Sequence, residues 1–154
     1  MSVDYFNEER KAYLSLRKSA SCAHKLDYHF VFVAKYRRAV LTGEVAEALR
    51  DLVVQTCRER RWLLLGLSIQ PEHMHVLIGL PPTAAPAEIA HDLKGLTSFK
   101  MLGRFPELGE RLGSSQLWGR GYSVETLGRS NVAQIDSYIQ SQQAHHTEGK
   151  VDCK

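Results

Sequence analysis

The 154-residue chain contains no run of 18 apolar residues, and its opening stretch, MSVDYFNEERKAY, carries charges throughout and has no apolar centre. Neither a membrane span nor a secretory leader is therefore expected. Cysteine is scarce: Cys22, Cys57 and Cys153 are odd in number, widely spaced and without a C-x-x-C pair. That excludes a disulfide framework and a zinc ribbon, and it fits reduced thiols in a soluble, cytoplasmic protein. The HExxH spacing of zinc proteases is missing as well, which removes that class of metal chemistry. A large excess of charge of one sign is absent: 20 Lys and Arg oppose 17 Asp and Glu, a net +3 with the histidines neutral. Such a mild bias permits nucleic-acid binding without requiring it. With 44% hydrophobic and 24% charged residues the composition is globular. The length allows one domain, taken as residues 23–146 between a polar N-terminal extension, 1–22, and a polar tail, 147–154.

What is present is a clear succession of periodicities. Residues 25–35 (KLDYHFVFVAK) are rich in aromatic and β-branched side chains and read as a strand. From Gly43 to Arg60, Val45, Leu49, Leu52, Val53 and Cys57 recur at helical spacing. Trp62–Ile69 and His73–Leu80 are apolar runs separated by Gln70-Pro71-Glu72, the pattern of a hairpin. A second helix is expected from Pro86 to about Phe105, with Ile89, Leu93, Leu96 and Met101 near one stripe, and a fourth strand over Trp118–Leu127. Ser130 is placed to N-cap a last helix running from Asn131 to about His145. The order β-α-β-β-α-β plus a helix predicts an α+β, ferredoxin-like antiparallel sheet with both internal helices on one face.

Within this arrangement two groups of residues could carry chemistry. Side chains two apart on a strand share a face. Met74, Val76, Ile78 and Leu80 would therefore meet the helices, while His73 and His75 point to the opposite face, which the final helix is free to cover. Two adjacent imidazoles in a strand are most often ordinary surface or core residues, but a shared metal would satisfy both while keeping them neutral. On the last helix Tyr138 and Gln142 are i, i+4 neighbours. A phenol with a pKa near ~10 is a poor nucleophile unless assisted, and a divalent ion on a phosphodiester supplies that assistance. Together these residues describe attack by Tyr138 on a phosphodiester held at a metal bound by His73, His75 and Gln142. The product, a phosphotyrosine link, would conserve the bond energy for rejoining.

Five segments, in this order, carry a resemblance to a known family: Tyr28-His29-Phe30-Val31-Phe32-Val33-Ala34-Lys35-Tyr36-Arg37-Arg38; Pro71-Glu72-His73-Met74-His75-Val76-Leu77-Ile78; Leu93-Lys94-Gly95-Leu96-Thr97-Ser98; Trp118 with Gly121 to Gly128; and Ile135 with Tyr138-Ile139 and Gln142. The chain resembles the single-tyrosine HUH transposases of small bacterial insertion sequences (TnpA type), with REP-associated tyrosine transposases as relatives. The resemblance implies a DNA transposase that cuts and rejoins single-stranded DNA at mobile-element ends. It casts His73, His75 and Gln142 as metal ligands and Tyr138 as the residue that forms a 5′-phosphotyrosine. It further implies Mg²⁺ or Mn²⁺, DNA hairpins at the element ends, and a homodimer in which the tyrosine helix can complete the partner's site. Imidazole ligands favour Mn²⁺ over Mg²⁺. Ala34 departs from the family pattern, in which a hydroxyl residue is frequent there.

For DNA contact the candidates are Lys25, Lys35, Arg37, Arg38 and Lys94, with Tyr36 as a stacking platform. Lys94 is equally well read as a solvated helix position, and Trp118 as a core residue. Alternative readings are another HUH endonuclease, a REP-associated transposase, or a non-catalytic module of the RNA-recognition type. The last shares the element order but needs exposed aromatics on its central strands.

Overall fold

The computed structural model describes residues 17–18 and 21–127. Tyr138, Gln142, the helix expected over 131–145 and both chain ends lie outside the described residues. Two short strands, β1 (Arg17–Lys18) and β2 (Ala23–His24), form a small antiparallel ribbon. They lead into β3 (Leu26–Val33), a 3-10 turn (Lys35–Arg37), α1 (Gly43–Arg60), β4 (Leu63–Ile69), β5 (His73–Leu80), α2 (Pro86–Arg104), α3 (Glu107–Leu112) and β6 (Ser123–Leu127).

The main sheet is ordered β4-β5-β3-β6 and all its neighbours are antiparallel. This is the split βαβ arrangement expected from the element order: the hairpin β4-β5 is inserted so that β3 and β5 become the central pair. Alternation then sorts the side chains. Phe30 and Phe32 of β3 and Met74, Val76, Ile78 and Leu80 of β5 join Leu49 and Val53 of α1 and Ile89, Leu93 and Met101 of α2 in one buried core. Both helices thus cover one face, because each carries its apolar residues as a single stripe. The leucine run of β4 would break strict alternation, and a register shift between Leu64 and Gly66 resolves this. Leu64 and Leu67 both reach the helix-side core, and Leu65 turns to the other face beside Leu77. A bulge at that point is what allows five apolar or small residues in a row to serve two layers.

Three features differ from the sequence expectation. The fourth strand begins at Ser123 rather than at Trp118; Trp118 makes only an isolated bridge to Ala34. The reason is local: Gly121 adopts φ +84°, and Gly119 N–H is drawn to the Val33 carbonyl at 2.7 Å, so the chain bends before it can pair continuously. A short helix, α3, follows α2 and buries Leu108 and Leu112. Finally, Arg17 and Lys18, assigned to the polar extension by composition, are paired with the start of the domain. Arg17 Nη2 lies 3.0 Å from Asp27 Oδ1 and Lys25 Nζ 2.7 Å from Asp27 Oδ2, around a carboxylate only 1% exposed. Gly79 pairs with Asp27, and a Cβ there would run into the Arg17 guanidinium, so glycine is the residue that lets the arginine lie against the sheet.

Candidate active site

His73 and His75 project from the central strand β5 onto the face opposite the helices, as alternation demands. They are 4% and 1% exposed, with ring centroids 4.9 Å apart and planes at 83°. The turn before them positions the pair. Gln70 N–H donates to the His73 carbonyl at 2.8 Å, and Ala34 N–H donates to the Glu72 carbonyl at 2.8 Å. These bonds pin the hairpin tip to the end of β3, where Val33 faces His73.

Each imidazole has a defined neighbour at Nδ1. For His73 it is Glu72 Oε1 at 3.0 Å; for His75 it is His29 Nε2 at 2.9 Å. His29, itself 3% exposed, stacks on His75 with centroids 5.0 Å apart and planes within 7°. Sequence reasoning passed over it. Its parity was legible, because Asp27 and His29 alternate with Tyr28, Phe30 and Phe32 along β3. What was missing is the register, which places His29 opposite Leu77 and Val31 opposite His75, one diagonal step apart.

Burial lowers the His73 pKa below 6.5, with the Arg37 charge adding to the fall, while the Glu72 carboxylate opposes both through its charge and its hydrogen bond. A buried imidazole kept neutral is the form that binds metal. Among the described residues no group of three or more His, Cys, Asp or Glu could hold an ion, so the described part offers a two-nitrogen donor pair. That pair suits a divalent ion needing further oxygen ligands, and the expected third ligand, Gln142, lies outside the described residues, as does Tyr138.

The basic cluster after β3 sits beside this pair. Tyr36 and Arg37 hold φ of +56° and +53°, an uncommon conformation for consecutive non-glycine residues. The kink leaves the Tyr36 ring 66% exposed, with Lys35 Nζ 5.4 Å and Arg38 Cζ 6.0 Å from its centroid. Lys35 also lines a groove of about 830 Å³ between α2 and the 115–122 segment, with Phe99, Arg120 and Tyr122 on its walls. The other two candidate lysines have partners within the chain. Lys25 closes the Asp27 ion pair. Lys94 donates to the carbonyls of Gly119 and Gly121 at 2.9 and 2.8 Å, and burial followed by the Lys35 charge holds its ammonium below the usual lysine pKa. Trp118 is 3% exposed and its Nε1 donates to Thr97 Oγ1 at 2.8 Å, a core residue as expected.

The family described as "Transposase IS200 like" matches residues 22–142. The chain belongs to this IS200-like transposase family. It is 32% identical over 129 residues to the ISDra2 transposase TnpA of Deinococcus radiodurans, covering 84% of this chain and 92% of that one. It is also 32% identical over 115 residues to the transposase for insertion sequence element IS200 of Salmonella typhimurium, 75% of each chain. In three dimensions it is similar to the crystal structure of a protein from Deinococcus radiodurans, with TM-score 0.70, 31% identity, and coverage of 82% and 98%. A REP-associated tyrosine transposase bound to a REP hairpin shares the fold at TM-score 0.51 and 16% identity, covering 82% and 68%.

In this IS200-like transposase the sheet face opposite α1 and α2 also weighs against an RNA-recognition module. Its central strands turn His29, Val31, His73, His75 and Leu77 to that face, while Phe30 and Phe32 are committed to the core; no stacking platform of exposed aromatics is left on the central pair. No helix of the described residues is long and apolar enough to cross a membrane.

Proposed function

We propose that the chain cleaves and rejoins single-stranded DNA at the ends of a mobile element, forming a 5′-phosphotyrosine on Tyr138 and releasing a 3′-OH. The observation that carries the reading is the His73–His75 pair: two buried imidazoles on one sheet face, each tied at Nδ1, in a member of a transposase family. His73 and His75 would hold a divalent ion through nitrogen, and Gln142 would complete the set through its amide oxygen. When bound, Mn²⁺ or Mg²⁺ would draw charge from the phosphoryl oxygens of the scissile phosphate. The Oη of Tyr138 bonds to phosphorus as the bond to the 3′ oxygen breaks, and the proton lost by the phenol is balanced by the one that the leaving 3′ oxygen takes up to become the 3′-OH. Rejoining reverses the step, with a 3′-OH displacing the tyrosine.

Lys35, Arg37 and Arg38 would serve as phosphate contacts and Tyr36 would stack a base, a role supported by the exposure of its ring beside the kinked turn. Lys25 and Lys94 are weaker candidates, since each serves an internal partner. The DNA partner proposed is a strand with hairpins at the element ends, bound by a homodimer. An insertion-sequence role is preferred to action on chromosomal repeats because the 32% identity extends over 92% of the ISDra2 transposase, against 16% for the REP-associated neighbour.

The test is to mix the full chain with labelled single-stranded hairpin DNA from the flanks of its gene and Mn²⁺, then look for an adduct that survives SDS. An adduct lost in Tyr138→Phe and strongly reduced in His73→Ala supports the reading. DNA binding that never yields an adduct on the cognate ends refutes it.

A further inference from the structure

Both metal-ligand candidates carry the same built-in device, and it lies outside the ligand set. We propose that Glu72 and His29 are positioning residues that hold His73 and His75 in the Nδ1–H tautomer, leaving each Nε2 with the lone pair a metal requires. The proposal rests on the ligand reading above, and deepens it by assigning the groups that prepare the pair.

The argument is one of proton accounting. An ionised carboxylate can only accept, so the 3.0 Å contact from His73 Nδ1 to Glu72 Oε1 requires the proton to be on Nδ1. In a neutral ring Nε2 is then the bare nitrogen. The 2.9 Å contact between His75 Nδ1 and His29 Nε2 joins two nitrogens of which one must donate. Both rings are buried, at 1% and 3% exposure, and a neutral imidazole carries one N–H to donate and one lone pair to accept. Donation from His75 leaves its Nε2 bare, whereas the reverse direction would put a proton on Nε2 and close it to metal. With His75 read as a ligand through Nε2, His29 is the acceptor and keeps its own proton on Nδ1. The same bond commits His29 Nε2 to His75, so that nitrogen is not an additional ligand. The nearly parallel stack of the two rings restricts rotation of His75 as well. An outer partner on the far nitrogen of a ligating imidazole is the usual way in which tautomer and ring direction are set, and its loss typically weakens metal binding about 10–100-fold.

The experiment uses the full chain labelled with ¹⁵N-histidine and free of metal, at a pH where the imidazoles are neutral. Long-range ¹H–¹⁵N correlation reports which nitrogen of each ring carries the proton, and Mn²⁺ titration followed by electron paramagnetic resonance reports affinity. His73 and His75 are both expected to show protonated Nδ1 and bare Nε2. His29→Phe should shift His75 toward Nε2–H and weaken Mn²⁺ about 10–100-fold. Glu72→Ala should do the same to His73, and because the Glu72 side chain is 37% exposed this variant tests the idea even if His29→Phe does not fold. Glu72→Gln, whose amide oxygen still accepts, should restore the His73 tautomer. Protonated Nε2 in the wild-type rings overturns the proposal, as do His29→Phe and Glu72→Ala proteins whose tautomers and Mn²⁺ affinity are unchanged. Mn²⁺ binding that His73→Ala leaves untouched overturns the ligand reading beneath it, whatever the tautomers show.

Discussion

Lys94 offers the sharpest separation between a structural and a DNA-contacting role. Its ammonium donates to the carbonyls of Gly119 and Gly121 at 2.9 and 2.8 Å, tying α2 to the bend that precedes β6. Replacing it with methionine keeps most of the stem and removes both bonds. Hydrogen bonds to a charged group contribute about 1.5–3 kcal/mol each. The ammonium is only partly buried, so water compensates for much of that, and the two bonds come from one charged group and are not additive. A destabilisation of about 2 kcal/mol is the expected result of Lys94→Met. Urea unfolding measures it as a lower midpoint at unchanged slope. The second arm is affinity for single-stranded DNA across a salt series: each phosphate neutralised contributes about −0.7 to the slope of log K against log salt. Lys94→Met should leave that slope alone. A variant as stable as wild type to within about 0.5 kcal/mol, whose slope shrinks by about 0.7, would refute the clamp and restore Lys94 to the DNA surface.

Asp27→Ala leaves the cations of Arg17 and Lys25 beside a buried position and should cost about 2–4 kcal/mol in chemical denaturation, a loss that Lys25→Met combined with it should reduce rather than deepen. Thr97→Val removes the acceptor of the Trp118 indole and should cost about 1–3 kcal/mol, with a change in tryptophan emission as the site-specific readout. For His73 the folded pKa lies below 6.5, so between the two values the unfolded chain holds a proton that the folded chain lacks. Stability should therefore rise with pH through that window and level off above 6.5. Subtracting the profile of His73→Asn isolates this contribution, and a difference that falls with rising pH would contradict it.

The elements themselves were readable because each has a clean period. Val45, Leu49, Val53 and Cys57 recur once per turn, and the helix they mark runs over Gly43–Arg60 as expected. Met74, Val76, Ile78 and Leu80 alternate, and their strand spans His73–Leu80 as expected. The fourth strand was overextended because Trp118 and the residues after it have strand-like composition, whereas a positive φ at Gly121 and the pull of Lys94 on two carbonyls are three-dimensional facts. The helix at Glu107–Leu112 is too short for its two buried leucines to register as a period.

The same division runs through the site. Local order was sufficient to put His73 and His75 on one face of a strand, since pleating alone forces residues two apart to the same side. It was also sufficient to draw the family resemblance, because five motifs in fixed order carry it. Which side chains stand behind those histidines depended on strand register, a property of two strands separated in sequence by a helix and another strand. Only that pairing brings His29 to 2.9 Å from His75. Folding likewise gave two candidate DNA cations partners within the chain, since Lys25 pairs with the buried Asp27 and Lys94 donates to the carbonyls of Gly119 and Gly121.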